Sequence, residues 1–169
     1  MSPVILSANI IPVFLAVTLI LAFLVNYASN KNKRNRAASL DAFWEREMKA
    51  NTTRKKDISN IDFITLPDFL SSPTGSLSEE IKDIEARIAE MADKKIVNFS
   101  GKTNTDLKLE YGAANFPDLS EWDSNYIKLV QLMQKYIVAL KKEGYDEKAE
   151  KILDFARSVA PEVKTFRNI

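Results

Sequence analysis

Carboxylates are the main chemical resource of this chain. Glu79 and Glu80, together with Asp118, Glu121 and Asp123, are the acids close enough in sequence to be considered for general acid–base work or for holding Mg2+. Adjacent Glu79 and Glu80 point along different directions of a helix. The acids at 118–123 crowd one predicted helix start, where capping and the positive end of the helix dipole account for them. Histidine and cysteine are both absent, which removes the usual general base, thiolate metal sites, disulfides and the common nucleophilic triads. The inventory predicts a non-catalytic chain with no cofactor.

Ser100-Gly101-Lys102-Thr103 copies the tail of a phosphate-binding loop. That motif needs a further glycine five positions before Gly101, and Ile96 stands there. Without a glycine-rich backbone there is no nest of N–H groups to cradle a phosphate. Asn51-Thr52-Thr53 and Asn98-Phe99-Ser100 match glycosylation sequons, which have no meaning for a domain kept in the cytoplasm.

The elements that must position these residues begin with an apolar run from Val4 to Val25 that contains no charged side chain. About 20 mostly apolar residues cross a bilayer core, so the run predicts one spanning helix within residues 1–28 and contact with membrane lipid. A cleaved signal peptide would carry its basic residues before the apolar run, whereas here Lys31, Lys33, Arg34 and Arg36 follow it. Cations in short flanks stay on the cytoplasmic side, which predicts an outside N-terminus and a cytoplasmic C-terminal domain. These four cations and Trp44 are the candidate membrane-interface residues.

The formal charge of +1 conceals an asymmetry. Residues 31–40 hold four basic and no acidic side chains, which leaves 20 basic against 23 acidic from Asp41 onward, a balance of −3. That part of the chain lacks the electrostatic footprint of a nucleic-acid binder.

Residues 29–75 are expected to comprise a basic juxtamembrane segment, a short amphipathic helix from Leu40 to Ala50 and an extended connector broken by Pro67, Pro73 and Gly75. Phe63, Ile64, Phe69 and Leu70 are too apolar for a free linker. They are expected either to cover the helical core or to be candidate partner contacts.

Residues 76–169 form the predicted helical domain. One helix runs from Ser76 or Ser78 to about Lys94 or Ile96, with Ile81, Ile84, Ile88 and Met91 as its stripe. A short helical piece at 105–111 is capped by Thr105 and stopped by Gly112. Two longer helices at 120–143 and 146–160 are separated by Gly144, and the short connector makes them an antiparallel hairpin. In this hairpin Gly144, Ala149, Ala156 and Pro161 stand at the spacing of the turn and second helix of a tetratricopeptide repeat, and the chain resembles a single such hairpin in a bacterial-type membrane-anchored protein. The first helix departs from the repeat at Met133, Tyr136 and Ile137. One repeat cannot build a stacked groove, so the helices at 78–96, 120–143 and 146–160 are expected to form a small all-α core.

Two functions from different classes follow. The first is a membrane-tethered interaction or scaffold domain that binds a protein partner or a second copy of itself. The alternative is a small accessory subunit of an integral membrane complex, with Thr18 and Asn26 in the span able to bond across helices.

Overall fold

The computed structural model describes residues 10–168. All regular structure among them is helical, and it falls into two compact units that divide between Met48 and Lys49.

The first unit consists of the greater part of α1 (Ile10–Thr52). The juxtamembrane segment and the short amphipathic helix expected at Leu40–Ala50 are not separate elements but belong to this one helix. The reason lies in residues 26–52, which contain neither Pro nor Gly and are rich in Lys, Arg, Ala and Glu, all good helix formers. Pro12 falls in the first turn, where its missing N–H leaves no bond unmade. Residues 1–9 of the expected apolar run lie outside the described residues.

The second unit begins with the last turn of α1 and contains α2 (Asp68–Ser71), α3 (Glu79–Ala89), α4 (Asn104–Tyr111), a 3-10 turn (Ala113–Asn115), α5 (Phe116–Lys142), α6 (Asp146–Val159) and α7 (Thr165–Asn168). Its centre is α5, which packs mainly against α6 and α3. The larger core cluster joins Ile81, Ile84 and Ile88 of α3 to Leu129, Met133, Ile137 and Leu140 of α5 and Ile152 and Leu153 of α6. Ala149 and Ala156, the small residues of the second hairpin helix, are fully buried in that cluster. Gly144 turns the chain between the two helices at φ 81°, and Lys141 of α5 pairs with Glu150 of α6 at 2.9 Å. A second cluster lies at the start of α5, where Leu119 and Trp122 meet Val97, Phe99 and Leu107.

Several boundaries differ from expectation. The first helix of the domain ends at Ala89 rather than near Lys94, because the chain turns over Glu90–Lys94 and then runs extended to bury Ile96 and Val97. Its N-cap is Ser78, whose hydroxyl makes no capping bond; Ser76 Oγ instead accepts from the Ser78 N–H at 3.0 Å. α4 is capped by Thr103 and not by Thr105, with Thr103 and Asp106 making a reciprocal capping box. α5 starts four residues before Ser120, with Pro117 at its head, so Ser120 and Asp123 lie inside the helix.

The connector is part of the domain. Leu70 is fully buried in the larger cluster, and Ile64, Leu66 and Phe69 pack against it. Phe63 joins the smaller cluster and meets the Trp122 ring edge-on at 5.0 Å. Domain folding therefore starts at Lys49, because the helices at 76–169 leave apolar faces that residues 58–70 close.

Candidate functional site

On α1, the side chains from Val13 to Val25 are exposed all round, including Phe14 and Phe23 at 70% each. A helix apolar over its whole circumference and covered by no protein is long and apolar enough to cross a membrane. The four candidate interface cations follow this band. Lys31 and Arg34 lie three residues apart, as do Lys33 and Arg36, and at 100° per residue the two pairs fall on roughly opposite sides. They form a collar, not a stripe, and a collar marks the depth at which the apolar band ends. Trp44 lies further along α1, 60% exposed, with its ring edge-on to Phe43 at 5.3 Å.

Thr18 and Asn26, the polar side chains of interest on α1, each make a bond within that helix. Thr18 Oγ1 donates to the Leu15 carbonyl at 2.8 Å, and the Asn30 amide donates to Asn26 Oδ1 at 3.3 Å. Neither needs a second helix for a bond partner.

In the helical unit several carboxylates are committed to structure. Glu79 pairs with Lys82 at 2.9 Å on the surface. Asp123 is pushed up by burial, against a bond from the Phe99 N–H. Glu162 accepts from the Tyr126 and Ser100 hydroxyls and the Asn98 amide, which ties the 98–101 turn to the chain after α6. Glu85 is the other hub: it accepts from the Tyr136 hydroxyl at 2.6 Å and the Thr74 N–H at 2.7 Å, with Lys148 Nζ at 3.9 Å. No group of three or more acids among the described residues is arranged to hold a metal ion.

Burial pushes the Glu85 carboxyl up, but Tyr136, Thr74 and Lys148 together outweigh it and hold it below the ordinary range. A depressed folded value means that the network stabilises above the unfolded carboxyl pKa of about 4.3 and loses that contribution as pH falls through the folded value. Glu85→Gln is therefore expected to cost about 1–2 kcal/mol near neutrality, and the gap from the parent should close on acidification. Melting curves across the acid range test this; a gap that stays constant to about pH 2 would refute the sign.

The phosphate-loop fragment is absorbed by the fold. Gly101 turns the chain at φ 85°, Lys102 pairs with Glu110 at 2.6 Å, and Thr103 caps α4. The candidate partner contacts Phe63, Ile64, Phe69 and Leu70 are placed along the connector, and three of them retain a half-exposed edge while Leu70 has none.

One surface was not singled out from sequence. α3 and its following turn face α5 across a groove of about 340 Å3, with Met91 and Leu132 at its floor. Arg87 of α3 and Lys94 of the turn after it line one wall, and Lys128 and Lys135, seven residues or two turns apart on α5, line the other. Glu90 is the single acid of the lining. Arg87 pairs with Asp83 at 3.1 Å, whereas Lys94, Lys128 and Lys135 have no ion-pair partner among the described residues. The seven-residue spacing was visible in the sequence, but which helices face each other was not.

No family model, curated protein or solved structure matches the chain.

Proposed function

We propose that this chain is a single-pass, membrane-tethered interaction protein whose helical unit faces the cytoplasm and recruits a protein partner or a second copy of itself, without catalysis. The observation that carries the reading is the apolar band of α1 closed by a collar of four cations. The bonds that Thr18 and Asn26 make inside α1, to the Leu15 carbonyl and from the Asn30 amide, favour a simple tether over an accessory subunit that assembles through its span. Commitment of Glu85 and Glu162 to hydroxyl and amide donors supports a scaffold rather than an acid–base site. The α5–α6 hairpin, with Ala149 and Ala156 at the helix contact, is proposed as a tetratricopeptide-like unit presented by that scaffold.

The test is a C-terminal epitope tag followed through fractionation and proteolysis. The tagged chain is expected to resist alkaline carbonate extraction, and the tag to survive protease added to right-side-out cells until the membrane is permeabilised. Release by carbonate would overturn the tether. Loss of the tag in intact cells would overturn the orientation and leave the tether standing.

A further inference from the structure

We propose that the groove between α3 and α5 binds the phosphate of an anionic phospholipid headgroup. Four cations line the groove with Glu90, and Asp83 pairs with Arg87 from outside it, which leaves an excess of two positive charges in a single groove. This is a local concentration and not a property of composition, since residues 49–169 carry 19 basic and 20 acidic side chains. Three of the four cations have no acidic partner among the described residues, and an anion seated between the two walls would offset their mutual repulsion.

The chemistry favours phosphate over carboxylate. A terminal phosphomonoester, the headgroup of phosphatidic acid, brings a charge of about −1.5 to −2 and three acceptor oxygens, against one charge for a carboxylate, and lysine ammonium groups bind phosphate as point charges. The source of the ligand rests on the membrane reading above: a tethered domain meets lipid headgroups at high effective concentration.

The experiment uses the full chain in nanodiscs of phosphatidylcholine, with or without added phosphatidic acid, and reads lysine acylation rates by mass spectrometry. Phosphatidic acid is expected to slow acylation of Lys94, Lys128 and Lys135 by about fivefold or more, while exposed Lys164 in the chain before α7 reacts unchanged. The double variant Lys128→Ala, Lys135→Ala should raise the phosphatidic acid needed for half-protection of Lys94 by about tenfold. Both side chains are exposed, so its melting curve should match the parent. Equal reactivity with and without phosphatidic acid overturns the proposal, as does protection that the double variant retains. Protection by sodium pyrophosphate but not by phosphatidic acid reassigns the groove to soluble phosphates, and protection by a poly-glutamate peptide alone reassigns it to an acidic protein. A chain that fails to enter the discs at all overturns the membrane reading and the lipid source together.

Discussion

Gly112→Ala is expected to cost the helical unit about 3 kcal/mol or more, the sum of a strained backbone and a forced displacement. Gly112 ends α4 at φ 94°, a region that side chains rarely enter. A Cβ there would also meet the Arg54 carbonyl and lie 2.8 Å from Lys55 Cα, both backbone atoms with no rotamer to give way. The close approach exists because residues 53–56 are strapped across this corner. The Lys56 N–H donates to the Tyr111 carbonyl and the Ala113 N–H to the Thr53 carbonyl, each at 3.1 Å. Buried Asn115 turns its amide so that both protons donate, to the Lys56 and Tyr111 carbonyls at 2.8 Å each, at the expense of leaving its own oxygen unpartnered. Melting of a fragment spanning 49–169 should fall by about 10 °C or more in Gly112→Ala. Gly101→Ala is the control, since Gly101 has a similar φ but open space around its Cβ position. It should show only the strain, about 1 kcal/mol. Equal losses at the two sites would show that the strap yields freely and that the close approach carries no energy.

Periodicity made the packing of α5 and α6 legible, because residues such as Leu129, Met133, Ile137 and Leu140 recur every three or four positions and all are buried. Met91 extended the stripe of Ile81, Ile84 and Ile88 and so concealed the end of α3: it is buried as expected, but from a turn. Thr103 and Thr105 are both legal caps, and only Asp106 at the third position after Thr103 distinguishes them. Gly112 was legible as a helix stop, whereas its second role depends on a strand of chain 57 residues earlier crossing it. The candidate site divides in the same way. The apolar band and its cations are local features of one helix and could be read directly. The α3–α5 groove is made by α3 with the turn after it and by α5, parts that the whole 95–115 region separates, so its four cations came together only in the fold.

The connector poses the sharpest remaining choice, between a lid on the core and a docking surface, and Leu70→Ala decides it by magnitude. Leu70 sits in α2 with no exposure, inside the cluster built by α3, α5 and α6. Bonds on either side of it help hold the segment in place: the Ile64 N–H donates to the Ile96 carbonyl at 2.9 Å, and Lys148 Nζ donates to the Ser72 carbonyl. Phe69 meets Phe155 of α6 edge-on at 6.3 Å, so the contact extends beyond a single side chain. A fully buried leucine in such a setting is worth about 2–5 kcal/mol on truncation to alanine. Leu70→Ala in the 49–169 fragment is therefore expected to lower the melting midpoint by about 10 °C, with the far-UV helical signal intact below it. A fragment beginning at residue 76 should lose still more, since it lacks Phe63, Ile64, Phe69 and Leu70 together. If Leu70→Ala instead melts with the parent, the segment contributes no stability to the core, and its apolar residues would have to be assigned to a partner. If stability falls as expected, partner recruitment must be sought on other faces of the unit, because a surface that the core requires is not free to open for a second protein.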